Sequence, residues 1–176
     1  MNNYKIAIIG PPGSGKTMIG TYVSKVLGVD LCSLDSYYWE KNWKRREHKH
    51  FIESVKQVFK KNQWIIEGDY DEIVCDLLEN SDLVIVLYSP KIILYKRLLF
   101  RSLARIMSKE KVCGENYENV SFLFSKEGLF RYCKIRSSFY RKFRVGGNVI
   151  KINTSLNSKK IITRSMLETI RRIYEN

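Results

Sequence analysis

The sequence predicts an α/β protein in which a doubly wound, five-stranded parallel sheet carries helices on both faces. Short apolar runs alternate along the chain with stretches of helical periodicity, which is typical of parallel strands joined by crossover helices. Polar residues follow several of these runs, at the edge where open α/β sheets place their ligands. The predicted strands are 6–9, 29–34, 63–67, 82–88 and 148–152.

Helical periodicity follows each predicted strand. The first such stretch carries its apolar residues on one face and stops at Gly28, and a later one stops at Gly146 and Gly147. Ser89 and Pro90 break the fourth strand and open the helix after it. The predicted helices cover about 18–27, 51–59, a segment that begins at Tyr70 or Asp71, 91–107, 130–144 and 161–173.

Length and composition predict one domain over residues 1–176, since a hydrophobic content of 44% suffices for a single core. The first strand begins so close to Met1 that we expect no signal or transit peptide, and no apolar run reaches the roughly 20 residues of a membrane helix. The cysteines lack C-x-x-C spacing, which favours reduced thiols in a cytoplasmic protein over a zinc or disulfide framework. We expect Cys32 and Cys75 to be buried.

The net charge of +13 has two interpretations. The surface either attracts nucleic acid or favours polyanionic small molecules such as nucleotides. Charge alone does not decide between them.

The segment Gly10–Thr17 reads G-x-x-x-x-G-K-[ST] and lies between the first strand and the first helix. A glycine-rich turn at a helix N-terminus points backbone N–H groups at one spot, where the helix dipole favours an anion. The pattern predicts that Lys16 reaches the β- and γ-phosphates of ATP and that the Thr17 hydroxyl holds Mg²⁺. Because Pro11 and Pro12 have no N–H, we expect the amide cradle to run from Gly13 to Thr17. The predicted nucleotide-binding residues here are Gly10, Gly13, Ser14, Gly15, Lys16 and Thr17.

Acidic residues follow the second and third strands. Asp35 could accept a proton from a hydroxyl acceptor or help to hold Mg²⁺ through water, and the alternative is a helix-cap or turn residue. Glu67 is the candidate for the second acidic group, which holds Mg²⁺ through water. Asp69 is its competitor and could instead cap the next helix. Gly68 would allow the backbone to approach a substrate closely.

Basic and aromatic residues surround this predicted site. The segment 41–50 either stacks on a base and pairs with phosphates or forms a solvated flap, and His48 and His50 are expected to be solvated. Arg97, Arg101 and Arg105 recur every four residues, either as a solubilising stripe or as clamps on phosphoryl oxygens. The predicted acceptor-binding residues are Asp35, Tyr38, Trp39, Gly68, Arg105 and Arg131.

These features together resemble the nucleoside-monophosphate kinase branch of P-loop proteins. They are most similar to the bacterial adenylate-kinase-like family often labelled DNA topology modulation proteins, although no DNA-reading motif is present. The resemblance spans nearly the whole chain and implies strand order 2-3-1-4-5, an acceptor-side flap at about 36–62 and a lid at about 105–130. It is carried by Gly10–Thr17, Leu34-Asp35-Ser36 with Trp39 and Trp43, Trp64–Tyr70 and the pair Arg97 and Arg101.

The resemblance also implies residue roles. In such kinases the arginine pair begins a lid over ATP, so Arg97 would touch phosphates and Arg101 the base, with Asn153–Ser155 near the adenine edge. The adenylate kinase pattern D-G-F-P-R is replaced here by Glu67–Tyr70, which lacks the arginine that holds a monophosphate. The lid also lacks the paired cysteines of zinc-bearing adenylate kinases. The segment 35–38 is similar to uridine-kinase-like enzymes, in which a comparable aspartate activates a sugar hydroxyl.

The predicted function is therefore an ATP- and Mg²⁺-dependent phosphotransferase that moves the γ-phosphoryl group to a small acceptor, a nucleotide or a nucleoside. The predicted catalytic residues are Lys16, Asp35, Arg97 and Arg101. An ATPase associated with nucleic acid, or a nucleotide-binding regulatory protein without catalysis, is the alternative. No membrane partner is expected.

Overall fold

The structure is a computed structural model that describes residues 3–113, 115–124, 128–144, 146–155, 166–172 and 174. Its elements are β1 (Lys5–Ile9), α1 (Lys16–Leu27), β2 (Leu31–Ser33), α2 (Leu34–Tyr38), β3 (Trp39–Glu40), a 3₁₀ turn (Lys41–Trp43), β4 (Lys44–Arg45), α3 (His48–Phe59), β5 (Trp64–Glu67), α4 (Asp71–Asn80), β6 (Leu83–Tyr88), α5 (Lys91–Ser108), β7 (Lys111–Val112), β8 (Asn116–Tyr117), α6 (Val120–Phe124), α7 (Leu129–Lys142) and β9 (Val149–Asn153).

The main sheet has five parallel strands in the order β2-β5-β1-β6-β9. Counted along the chain within this sheet, the order is 2-3-1-4-5, and the predicted fold class is confirmed. The central strand β1 shows why helices cover both faces. Its alternate side chains enter different cores: Ala7 and Ile9 join one cluster, while Ile6 and Ile8 join the other.

The register of the sheet brings the ends of three strands together. Ile8 of β1 is level with Glu67 of β5, and Ser33 of β2 is level with the same glutamate. Because the strands are parallel, the residues that follow them leave the sheet at one edge. The segment 10–17, Asp35 and the loop after Glu67 therefore begin side by side.

Several sequence predictions differ from the structure in detail. The second strand is shorter in the structure than predicted, because Leu34 already begins α2. Cys75 is exposed on the outer side of α4, and Cys32 is only half-buried because β2 is an edge strand. Two small antiparallel hairpins, β3–β4 and β7–β8, lie in segments without a strand pattern. The start of the predicted final helix lies outside the described residues, and residues 166–172 are helical.

Among the described residues, no helix combines the length and the apolar character needed to span a membrane.

A buried ion pair attaches α7 to the loop between β5 and α4. Asp69 is 5% exposed and Arg136 is 4% exposed, and Arg136 Nε donates to both carboxylate oxygens at 2.8 and 3.0 Å. Tyr140 Oη donates to Asp69 Oδ1 at 2.6 Å, and Tyr132 Oη donates to the Asp69 carbonyl oxygen. Tyr132, Arg136 and Tyr140 are spaced four residues apart, so one stripe of α7 holds this single aspartate.

Asp69→Asn should lower the stability of the fold by about 3–5 kcal/mol, because it leaves the buried guanidinium without its carboxylate partner. Asp71→Asn is a matched control: Asp71 also contacts Arg136, but its side chain is 76% exposed, and the expected cost is below about 1 kcal/mol. Urea unfolding of the two variants measures the difference. Equal costs would contradict a dominant role for the buried pair.

Candidate functional site

The loop between β1 and α1 closes around its own lysine. Lys16 Nζ donates to the carbonyl oxygens of Gly10 at 2.7 Å and Pro11 at 3.3 Å. Gly15 occupies the helix N-cap with φ 97°, a left-handed conformation that favours glycine. Such a loop presents its ammonium and its helix N-terminus to the same space.

The amide and the hydroxyl of Ser14 differ in how they are hydrogen-bonded within this loop. The Ser14 amide donates to the Pro11 carbonyl at 3.1 Å, so this member of the predicted Gly13–Thr17 cradle is used inside the loop. The Ser14 hydroxyl is buried and has no hydrogen-bond partner among the described residues. An orphaned buried hydroxyl at an anion-binding loop fits a site that a ligand completes.

Glu67 lies at the centre of the candidate site. It is 2% exposed, and its Oε1 accepts hydrogen bonds from Ser33 Oγ at 2.6 Å and from Thr17 Oγ1 at 3.2 Å. One carboxylate therefore joins the start of α1, at Thr17, to the end of β2. Burial raises the pKa of Glu67 and Asp35 adds to the rise, while the Lys16 cation and the two hydroxyls oppose it.

The donors around Glu67 fit a hard divalent cation. Hydroxyl and carboxylate oxygens are the ligands that Mg²⁺ prefers, and Mg²⁺ usually keeps several waters and takes phosphate oxygens as further ligands. No group of three or more histidine, cysteine or acidic side chains in the described ranges could hold a metal ion. The residues present therefore suit a metal bound together with a phosphate ligand. Asp69, the competing acidic residue, is engaged by α7, and Tyr70 is the N-cap of α4.

Asp35 lies in the first turn of α2, whose N-cap is Ser33. Asp35 is therefore not the helix cap that the sequence left open. Its Oδ1 accepts a hydrogen bond of 2.6 Å from the Tyr70 hydroxyl, and Oδ2 has no hydrogen-bond partner among the described residues. One carboxylate oxygen is held by the fold, and the other is available to a ligand.

The three arginines of α5 are held by different partners. Arg97 donates to the Thr154 carbonyl at 2.6 Å and to its hydroxyl at 3.2 Å, immediately after β9. Arg105 Nη1 lies 2.8 Å from Glu118 Oε1, and Arg101 Nη2 lies 3.8 Å from the same oxygen. These side chains are paired, so the stripe is not a purely solubilising one.

The charge of Arg101 also reaches the acidic side of the site. Desolvation lowers its pKa first and the neighbouring Arg105 cation adds to this, while Glu118 and Asp35 act in the opposite direction. Arg101 therefore lies within electrostatic range of Asp35. Arg97 lies instead beside Asn153, whose Oδ1 accepts hydrogen bonds from the Ser155 amide at 3.0 Å and the Ser155 hydroxyl at 2.6 Å.

The predicted acceptor residues are only partly brought together. Tyr38 packs on Tyr70 and Phe51 with ring centroids 4.3 and 5.2 Å apart, and it therefore contributes to the core. Trp39 packs edge-on against Trp43 at 5.5 Å. Arg131 lies on the exposed side of α7.

Gly68 has a packing reason to be glycine. A Cβ atom at this position would lie 2.5 Å from the Leu34 Cβ, so the space over Gly68 belongs to the core. Its predicted role in close approach to a substrate is not needed to explain it.

Hydrogen bonds join the two small hairpins to each other. Asn116 is 3% exposed, and its Oδ1 accepts a hydrogen bond of 2.7 Å from the Trp43 amide. Its Nδ2 donates to the Glu40 carbonyl at 2.9 Å and also to the Cys113 carbonyl. Trp43 Nε1 donates to the Tyr117 carbonyl at 2.9 Å. The segment predicted as a lid is thus joined to the segment predicted as a flap.

Sequence reasoning missed five residues that organise this region. Ser33 and Tyr70 are polar neighbours of predicted site residues; the available signals were the position of Ser33 at a strand end and that of Tyr70 at the start of a helix. Tyr132 and Tyr140 flank Arg136 at four-residue spacing, a pattern visible in the sequence. Glu118 and Asn116 lie in a polar segment without periodicity, where no local signal marks them. The missed residues are Ser33, Tyr70, Asn116, Glu118 and Arg136.

Glu67→Gln should raise the melting temperature at pH 7. Because the raised pKa marks a carboxyl that is more easily ionised in the unfolded chain, the ionised form costs stability at neutral pH. That cost disappears as the pH falls towards the ordinary glutamate value of 4.5, and the gain of the variant should shrink with it. Thermal unfolding without nucleotide at pH 7 and pH 5 tests this, with Glu72→Gln on the exposed start of α4 as the control. A lower melting temperature for Glu67→Gln than for the wild type at pH 7 would show that the charge stabilises the apo fold.

Comparison with protein-family models gives a match to the ATPase family associated with various cellular activities (AAA) over residues 6–74. This range runs from β1 through the phosphate loop and Glu67 to the start of α4. A search of curated protein sequences gives no match.

Solved structures resemble almost the whole chain. A gluconokinase from Sinorhizobium meliloti 1021 is 12% identical with a TM-score of 0.67, covering 98% of this chain and 94% of that one. A shikimate kinase from Acinetobacter baumannii in complex with shikimate is 18% identical with a TM-score of 0.59, covering 97% and 93%. A deoxyadenosine kinase from M. mycoides is 19% identical with a TM-score of 0.56, covering 96% and 99%. At these identities the likeness concerns the fold alone, which this chain shares with these kinases.

Proposed function

We propose that the protein is an ATP-dependent phosphotransferase acting on a small hydroxyl-bearing or phosphate-bearing acceptor. The observation that carries the proposal is the contact of Glu67 with both Thr17 and Ser33. It connects a phosphate-binding loop to the strand end that carries Asp35. A donor site and a candidate base therefore share one edge of the sheet.

The donor half of the proposal consists of the phosphate loop and the acidic centre. Lys16 donates hydrogen bonds to the Gly10 and Pro11 carbonyl oxygens. When ATP binds, it would donate to the β- and γ-phosphate oxygens instead. Thr17 and, through water, Glu67 would hold Mg²⁺, which when bound neutralises charge on the phosphates. The predicted Mg²⁺ role of Asp35 is secondary in this proposal, because Tyr70 already occupies one of its oxygens.

The acceptor half is built on Asp35. With Oδ1 held by Tyr70, Oδ2 would accept the proton of the attacking hydroxyl as the acceptor oxygen bonds to the γ-phosphorus and ADP leaves. In-line transfer of this kind depends mainly on positioning and on stabilising the charge of the phosphoryl group. The flap at about 36–62 and the lid at about 105–130 would exclude water from it.

The arginines divide between the two halves. Arg97 is fixed on Thr154, next to Asn153, so we place it at the base edge of the nucleotide. Arg101 and Arg105 are near Glu118, and Arg101 is also near Asp35, so we place them at the transferred phosphoryl group. This order is the reverse of the one that the family resemblance implies.

The acceptor is proposed from the chemistry of the site and from the named activities of similar folds. The similar structures are described as a gluconokinase, a shikimate kinase and a deoxyadenosine kinase. A nucleoside or nucleotide acceptor could pack its nucleobase against the aromatic side chains beside Asp35. A hydroxylated metabolite would need only Asp35 as the general base. The resemblance to the DNA topology modulation proteins does not indicate which acceptor is phosphorylated.

ATP consumption with nucleosides, nucleoside monophosphates and small hydroxylated metabolites tests the proposal, with DNA and RNA as parallel samples. We expect one ADP for each phosphorylated acceptor molecule, and Lys16→Ala should abolish the transfer. Lys25→Ala, on the exposed last turn of α1, is the matched control. ATP hydrolysis stimulated only by nucleic acid, with a steep salt dependence, would favour the alternative function. Normal transfer by Lys16→Ala would remove the assignment of the phosphate loop.

Asp35→Asn should lower kcat by about 10²- to 10⁴-fold, the usual contribution of a general base, while ATP affinity stays near that of the wild type. Asp30→Asn, on an exposed residue before β2, is the control. Steady-state kinetics and nucleotide titration separate the two effects. An equal loss of ATP affinity would identify Asp35 as a metal-binding or structural residue.

A further inference from the structure

We infer that Tyr70 is a positioning residue for Asp35, and that α7 fixes Tyr70 by holding the adjacent Asp69. The inference rests on the proposed function, since it concerns how the candidate base is oriented. It gives the loop between β5 and α4 a role in the proposed site, in addition to the role proposed for Glu67 at the end of β5.

The contact between Tyr70 and Asp35 is direct and well supported. The Tyr70 hydroxyl donates to Asp35 Oδ1 at 2.6 Å, a short hydrogen bond to a carboxylate. The Tyr70 ring is held by Tyr38 and Phe51, with centroids 4.3 and 5.4 Å away. The phenolic hydroxyl of tyrosine ordinarily carries its proton at neutral pH, so it can donate this hydrogen bond.

A fixed donor restricts the side-chain rotamer of Asp35. Helix α2 has only five residues, and the aspartate lies in its first turn. A carboxylate on a short helix can choose among side-chain rotamers, and a fixed donor selects one of them. In this rotamer Oδ1 is occupied and Oδ2 remains for the acceptor.

The Tyr70 hydroxyl can fix Asp35 only if the Tyr70 backbone is itself held. The preceding residue, Asp69, is bound by the stripe Tyr132, Arg136 and Tyr140 of α7. Those contacts include the Asp69 carbonyl as well as its carboxylate, so backbone and side chain are both restrained. The restraint thus passes from α7 through one peptide unit to Tyr70.

Helix α7 also touches the donor side. The Cys133 thiol lies 3.6 Å from the carbonyl oxygen of Pro12 in the phosphate loop. Cys133 belongs to the same turn as Tyr132 and packs with Leu94 and Leu98 of α5. One turn of α7 therefore borders both the phosphate loop and the loop that orients the candidate base.

A purely structural role for Tyr70 is the competing explanation, because its ring is part of the core. Tyr70→Phe separates the two, since it keeps the ring and removes only the hydroxyl. Tyr37→Phe is the matched control: Tyr37 lies on the same short helix as Asp35, and its hydroxyl contacts Cys32.

Tyr70→Phe should lower kcat by about 10- to 100-fold, the scale expected for a misplaced catalytic group, with KM values for ATP and acceptor within about 2-fold of the wild type. Tyr37→Phe should keep kcat within about 2-fold, because its hydroxyl does not touch Asp35. In an Asp35→Asn background, Tyr70→Phe should change kcat by less than about 3-fold, because residues that act as a unit are strongly non-additive.

Three outcomes would overturn the inference. The first is a kcat for Tyr70→Phe equal to that of Tyr37→Phe. The second is a kcat loss from Tyr70→Phe that is equally large in the wild type and in the Asp35→Asn background. The third is a kcat loss that is fully explained by partial unfolding, seen as a lower melting temperature of Tyr70→Phe. Absence of transfer by the wild-type protein would instead remove the proposed function, and this inference with it.

Discussion

The buried carboxylate of Glu67 is the interaction on which the candidate site depends. A carboxylate that is 2% exposed carries a large desolvation cost, which is reduced only where hydrogen bonds and an opposite charge compensate it. Ser33, Thr17 and the nearby Lys16 provide that compensation. The same contacts join the end of β2 to the phosphate loop. The fold therefore accepts a local cost at the point where a ligand with phosphate and metal would bring further compensation.

Buried charge elsewhere in this region follows the same rule. Arg136 is paired with Asp69, and Glu118 is shared by Arg101 and Arg105. Asp71 also pairs with Arg136 and Glu110 with Arg105, so four acidic residues face these three cations and reduce their field outside the protein. The excess behind the net charge of +13 therefore includes exposed side chains such as Lys25. This separation explains why net charge alone could not distinguish a nucleotide site from a nucleic-acid surface.

The parts predicted from sequence are those with local signals. The five strands and the glycine-rich turn between β1 and α1 follow from apolar runs, helical spacing and glycine positions, which are signals among neighbouring residues. The pairing of Glu67 with Ser33 joins residues that are 34 positions apart, and that of Arg136 with Asp69 spans 67 positions. Such contacts depend on strand order and register, which no short pattern specifies. Cys75 was misjudged for a related reason, because Ile73, Val74 and Leu77 turn the other side of α4 to the core.

The two sides of the site are also held by different physics. The sheet side is fixed by burial, through residues such as Leu34 and Ile66 that have no exposed surface. The hairpin side is fixed by Asn116, whose amide joins β7–β8 to the turn before β4 by hydrogen bonds. That turn places Asn42 and Trp43 at φ 62° and 54°, conformations that non-glycine residues adopt only at some cost. Water can replace hydrogen bonds of this kind at a small net cost, whereas it cannot replace apolar burial. The hairpin contact is therefore held by polar contacts, whereas the sheet edge is held by apolar burial.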